Sequence, residues 1–384
     1  MRKFISVFVL ISCFFLPGCS SIYSNFRELE QIRIIQTMGI DYIPGGVRIT
    51  LSSDAEEDCE PLCISSSGSS ISSALDKIKL CSAEQELFLP HISRIVIGEE
   101  AAKHGINGYL AFICRSPQLR IDTPLFVAKG RSAESVISLL NAGDRSVSDV
   151  LAAAEANAAF YSSRRLLAAA EVINSLSKYG GAPVCAIELV PSEEQSSQEK
   201  SGVQMTAVVS GFGVLNDSAL CSYIDQKNAP AAALLLNMAG IYDITAEVPG
   251  SGPVTMEVSS GNCSINPVWS DSGSLSGIDI YAEVEASVLE MGDTASAGRE
   301  ELSDRLISQL ESEVSGKIAS VLQQSRKLQT DFLGLAGSLE MKDPAGFRAV
   351  KADFIQLLPS LELRVSVSGK LHCTKDLKDT QNGN

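Results

Sequence analysis

The stretch from Arg299 to Lys327 limits the fold more than any other part of the chain. Its apolar residues recur at intervals of four, with Ile307 and Val321 beside them; the row is Leu302, Leu306, Leu310, Val314, Ile318 and Leu322. This spacing predicts an amphipathic helix of about eight turns over 299–327, with one face against a core and a charged face in water.

A strictly alternating segment, 361–371, follows this helix. Leu361, Leu363, Val365, Val367 and Leu371 point one way, and the charged and hydroxyl residues between them point the other. Alternation with a period of two predicts a strand whose sheet has one wet face. A long helix against such a sheet is an α+β module.

The first half of the chain alternates strands with helices. A buried strand at 92–97 precedes a helix that begins near Glu99 and ends at Gly105. The segment 122–141 repeats the pattern, with Ser132 as the helix cap. One long helix is expected over 149–178, stopped by Gly180, and a polar connection is expected over 261–277.

These patterns predict an α+β fold with three consecutive mixed sheet-and-helix domains. The boundaries fall where the composition becomes polar or rich in small residues. The expected division is a signal peptide (1–18), an N-terminal domain (19–192), a middle domain (203–252), a C-terminal domain (253–373) and a polar tail (374–384).

The start of the chain resembles a lipoprotein signal. Arg2 and Lys3 precede an uncharged apolar run, which ends in Leu16-Pro17-Gly18-Cys19. The run is too short to span a hydrocarbon core, and an apolar run of this length is typical of a secretory signal peptide. The last four residues resemble the bacterial lipobox, in which the cysteine receives a diacylglyceryl group. The alternative is cleavage elsewhere, with Cys19 free or in a disulfide.

The net charge of the chain bears on which partners it can bind. The net charge is −15, so we expect no nucleic-acid binding, because that requires Lys and Arg to neutralise phosphates. Membrane contact is expected through the lipid on Cys19 rather than through a basic patch.

Eight cysteines other than Cys13 and Cys19 remain, at 59, 63, 81, 114, 185, 221, 263 and 373. An exported chain could pair them, or an anaerobic host could keep them reduced. With three histidines in no ligand pattern, no metal site and no cofactor are expected.

Catalytic motifs are not found in the sequence. It contains no G-x-S-x-G, no H-E-x-x-H and no phosphate-binding loop. The segment 211–216 has two of the three glycines of a dinucleotide-binding turn and is interpreted as a bent or bulged strand. We therefore expect no enzyme, and Cys19, as a lipid attachment site, is the one candidate site residue.

Five segments, in their order, resemble a known family. They are 25–41 (with Arg27-Glu28-Leu29 and Gly39-Ile40-Asp41), 91–106, 211–225, 328–339 (with Gln329, Asp331 and Gly334) and 358–371. In this respect the chain resembles the C subunits of spore germinant receptors, the Ger(x)C lipoprotein family.

The resemblance implies a lipoprotein on the outer face of the inner spore membrane. It would act with integral membrane A and B subunits that sense small nutrients, so a germinant would reach it through the complex. It also implies three mixed α/β domains and no enzymatic activity. The alternative hypothesis is an extracytoplasmic solute-binding lipoprotein that captures a small molecule between domains.

Overall fold

The computed structural model describes residues 32–55, 60–82, 86–159, 162–192, 204–248, 252–291 and 299–372. The strands are β1 (Ile32–Ile34), β2 (Thr37–Ile43), β3 (Gly46–Ser53), β4 (Leu62–Gly68), β5 (Glu86–Phe88), β6 (Arg94–Gly98), β7 (Leu125–Ala128), β8 (Gly181–Pro191), β9 (Met205–Asn216), β10 (Ala219–Asp225), β11 (Tyr242–Val248), β12 (Gly252–Trp269), β13 (Leu275–Met291) and β14 (Glu362–His372).

The helices within the same ranges are α1 (Ile71–Cys81), α2 (Glu99–His104), α3 (Asn107–Arg115), α4 (Ala133–Asn141), α5 (Val147–Ala158), α6 (Ala169–Tyr179), α7 (Ala229–Leu235), α8 (Arg299–Leu328), α9 (Leu335–Lys342), α10 (Pro344–Val350) and α11 (Phe354–Leu357). Helices and strands mix throughout the described chain, which confirms the α+β prediction.

The first half is built on an eight-stranded sheet in the order β10-β9-β8-β7-β6-β2-β3-β4. Its inner strands β2, β6, β7 and β8 are parallel, and the outer pairs are antiparallel. Neighbouring residues of β6 enter different cores: Ile95 and Ile97 pack on one face, and Val96 packs on the other. Strands buried on both faces are typical of parallel sheets with helices on each side.

The second half is built on a four-stranded sheet in the order β11-β12-β13-β14, in which β13 and β14 are parallel. Helix α8 lies against it, and Leu306, Leu310, Val314 and Ile318 are at most 2% exposed. The helix spans 299–328 and the last strand 362–372, so both sequence predictions for this region are confirmed.

The strands of residues 203–252 are divided between the two sheets. β9 and β10 extend the eight-stranded sheet, whereas β11 is the edge of the four-stranded sheet. The three-domain division, with this segment as the middle domain, stays a prediction.

Two expectations are wrong. The helix expected over 149–178 is two helices, α5 and α6, since the backbone between them bonds elsewhere: Ser163 bridges to Ala239, and the Arg164 N–H donates to the Met238 carbonyl. The connection expected over 261–277 is mostly the antiparallel pair β12–β13, in which Ile265 lies opposite Ile280. Gly, Asn, Pro and Asp, which recur in this segment, are depleted in strands, but long-range pairing overrides that preference.

Candidate functional site

Cys19, the one site residue expected from the sequence, lies outside the described residues. The first described residue is Ile32, at the start of β1. Lipid attachment at Cys19 therefore stays a prediction.

Asp41, the acid of the Gly39-Ile40-Asp41 segment, joins a strand to a helix. Its carboxylate accepts the backbone N–H groups of Ala133 at 2.7 Å and Glu134 at 2.8 Å, at the start of α4. The side chain is 6% exposed, and burial raises its pKa, against the lowering effect of these two N–H groups. A carboxylate suits the positive end of a helix dipole.

Gly98 leaves room for the carboxylate of Asp41 beside the start of α4. A Cβ atom at Gly98 would overlap Oδ1 of Asp41 and lie 3.1 Å from the Ala133 nitrogen. Glycine is therefore required at the end of β6 by the close approach of three elements. Asp41 thus holds β2, β6 and α4 together rather than facing a substrate.

Asp331, in the 328–339 segment, has a similar role in the second half. Its carboxylate accepts the N–H groups of Leu335 at 2.8 Å and Ala336 at 2.7 Å, at the start of α9. It is 1% exposed, and burial raises its pKa to about 6 despite the N–H groups, which lower it. Gln329 and Gly334 both have positive φ, 49° and 70°, so the chain turns sharply on each side of Asp331.

The two halves meet through polar contacts as well as through packing. The Tyr179 hydroxyl on α6 donates to a Glu340 carboxylate oxygen at 2.8 Å, and the Gln324 amide on α8 donates to the Tyr223 carbonyl at 2.9 Å. Burial raises the pKa of Tyr179 to about 12, assisted by Glu340, so the phenol remains a donor. These contacts tie the eight-stranded sheet to the helices of the second half.

The histidines of the described chain lie in structural settings. His104 stacks on Tyr42 with ring centroids 3.7 Å apart, and its Nδ1 lies 2.8 Å from the Glu100 carbonyl. His91 packs near Phe88, and His372 lies 3.5 Å from Glu285. None of these contacts pairs a histidine with a hydroxyl or thiol that it could activate.

The six cysteines of the described ranges, 63, 81, 114, 185, 221 and 263, are free thiols. Within the same ranges, no three His, Cys, Asp or Glu side chains meet in a group that could hold a metal ion. Among the helices that the structure describes, none has both the length and the apolar composition that a membrane crossing requires.

A cleft of about 720 Å³ opens on the first half, between the β2–β3 turn, α1, and α3 with the loop that follows it. Its apolar walls include Val47, Leu75 and Phe112, and its charged lining residues are Asp76, Lys79 and Arg115. We did not expect this cleft from the sequence, because its residues come from three separate segments.

Comparison with known proteins identifies the class. A family model described as the spore germination protein N-terminal domain matches residues 25–187, and one described as spore germination B3/GerAC like, C-terminal, matches residues 210–374. Together they cover most of the chain, which therefore belongs to the GerAC-like family of spore germination proteins.

A solved structure shares the fold. The crystal structure of the GerBC protein superimposes with a TM-score of 0.56 over 87% of this chain and 96% of that chain, at 13% sequence identity. No curated protein matches the sequence. The resemblance seen in the sequence is thus confirmed at the level of the family.

Proposed function

We propose that the protein is the membrane-anchored lipoprotein C subunit of a nutrient germinant receptor, which acts with integral membrane A and B subunits to trigger germination. The observation that carries the proposal is the match of both halves to spore germination family models. The first match begins at residue 25, six residues after Cys19 of the lipobox-like Leu16–Cys19.

In this proposal the lipid on Cys19 holds the protein on the outer face of the inner spore membrane. Several acyl chains, at about 0.8 kcal/mol per buried methylene, anchor a protein far more firmly than one chain does. Tethering also confines the protein to the layer that its membrane partners occupy, which raises their effective concentration and lets modest interfaces suffice.

The role we propose is contact between proteins, without catalysis. Asp41 and Asp331, both buried, are engaged by backbone N–H groups, and the described histidines contact structural partners. Side chains that serve the fold in this way support a structural and signalling subunit rather than an enzyme.

The test is the Cys19→Ala variant in spores, with Cys221→Ala as the control, since Cys221 is an exposed free thiol. We expect the wild type and the Cys221 variant in the inner-membrane fraction, the Cys19 variant in the soluble fraction, and a slower nutrient response only for the Cys19 variant. A Cys19→Ala protein that stays on the membrane would refute the anchor. Normal germination of spores that lack the protein would refute the receptor role and favour solute binding.

A further inference from the structure

The cleft between α1, α3 and the β2–β3 turn has the size of a small-molecule site. Its volume, about 720 Å³, lies within the range of roughly 300–1,000 Å³ that is usual for ligand pockets. It lies wholly within the first half, because its lining residues run from Gly45 to Gln118.

The floor of the cleft is apolar, and serines lie among its other lining residues. Val47, Ile71 and Leu75 are 4%, 6% and 6% exposed, so they belong to a fixed core and form a rigid floor. Tyr109 and Phe112 on α3 are half-buried beside them. Such a floor favours a ligand with an apolar body, because its burial removes apolar surface from water.

The charged rim has the opposite sign to the chain as a whole. Two cations, Lys79 and Arg115, and one acid, Asp76, are the charged residues that line the cleft, in a protein whose net charge is −15. The Arg115 Nε donates to the Ala111 carbonyl at 2.9 Å, and a guanidinium has further N–H groups for an anion. Two cations beside low-dielectric walls attract a negative group.

We propose that this cleft binds a small molecule that has an apolar body and a carboxylate. The body lies on Leu75 and Phe112, and the carboxylate lies toward Lys79 and Arg115. This assignment concerns a site on this chain itself, and it stands whether or not the chain works in a receptor complex.

Gly108 gives a direct way to close the cleft. It lines the cleft on α3, and a Cβ atom there would meet nothing within 4 Å. A Gly108→Trp substitution therefore adds a large side chain to the lining of the cleft without a clash at its base, whereas Gly108→Ala adds only a methyl group. Gly316 on α8 is also exposed with an open Cβ position, so Gly316→Trp is the matched control away from the cleft.

The experiment uses the full-length protein in lipid nanodiscs, with empty nanodiscs as the blank. Phenylacetate is titrated to millimolar concentration and followed by saturation-transfer NMR, beside 2-phenylethanol and 2-phenylethylamine, which carry a neutral and a cationic group on the same ring. We expect phenylacetate to bind at least about tenfold more tightly than either, because a charged hydrogen bond contributes that much.

The variants complete the test. Gly108→Trp should abolish phenylacetate binding, Gly108→Ala and Gly316→Trp should retain it, and Lys79→Gln with Arg115→Gln should weaken it at least about tenfold. Circular dichroism confirms that each variant is folded. Absence of phenylacetate binding to the wild type, equal binding of the three probes, or unchanged binding to Gly108→Trp would each overturn the proposal.

Discussion

The burial of Asp331 makes the stability of the protein fall as the pH rises, which is the opposite of the effect of an acid whose pKa is lowered by a salt bridge. Its carboxyl is 1% exposed, and its pKa rises from 3.8 to about 6 in the folded protein, because burial outweighs the N–H groups of Ala336 and Leu335. The folded state thus binds this proton more tightly than the unfolded state. Its stabilising effect is complete below pH 3.8 and is lost as the pH rises through about 6.

The magnitude follows from the shift. About two pKa units correspond to about 3 kcal/mol of unfolding free energy. The substitution Asp331→Asn removes the titration while keeping the side-chain size. Between about pH 4 and pH 7, wild-type stability should therefore fall by up to about 3 kcal/mol relative to Asp331→Asn. Other acids titrate in both proteins, so the difference between the two curves isolates Asp331.

Urea unfolding, followed by circular dichroism across this pH range, measures the difference. Asp122→Asn is the control, because Arg120 lowers the pKa of the exposed Asp122 below its usual 3.8. The stabilising effect of Asp122 is lost only as the pH falls below that value, so between about pH 4 and pH 7 the wild-type and Asp122→Asn curves should run nearly parallel. If the wild-type and Asp331→Asn curves ran parallel, the account of the buried carboxyl would be refuted.

Two further predictions concern close packing and thiol state. Gly98→Ala should lower the free energy of unfolding by about 1–3 kcal/mol, because the new Cβ displaces Asp41; a midpoint in urea equal to that of Gly108→Ala would contradict this. Maleimide should label the exposed Cys81, Cys114 and Cys221 in the native protein without reductant but not the buried Cys185, whose pKa is raised by burial. A disulfide-linked peptide between any two of these four would show that the assignment of free thiols is wrong.

The sequence predicts those helices and strands whose hydrophobic spacing or capping residues lie within the element itself. The spacing of Leu306, Leu310 and Val314 predicts α8, because one face of that helix is buried along its length. Ser132 was identified as a cap, and its hydroxyl accepts the Ser135 N–H. Both features depend on neighbours within a few residues, which a sequence displays directly.

Features made by distant residues were missed. The Asp41 carboxylate binds N–H groups of Ala133 and Glu134, and no local pattern links these positions. The cleft brings together Val47, Leu75 and Phe112. The sequence alone indicates only that each of them is an apolar residue suited to a core. Asp331 was indicated only by the family resemblance, because it lies three residues before Gly334, the N-cap of α9, and so outside the position at which a capping acid is recognised.

The central claim is that this family member works in a membrane complex. The most direct measurement is affinity isolation of the tagged, full-length protein from detergent-solubilised inner membranes of dormant spores, with quantitative mass spectrometry of everything that is retained. The account predicts integral membrane A and B subunits in fixed proportion to this chain, together with an N-terminal peptide that carries diacylglycerol on Cys19. Isolation of the protein without membrane subunits, or with an unmodified Cys19, would contradict it.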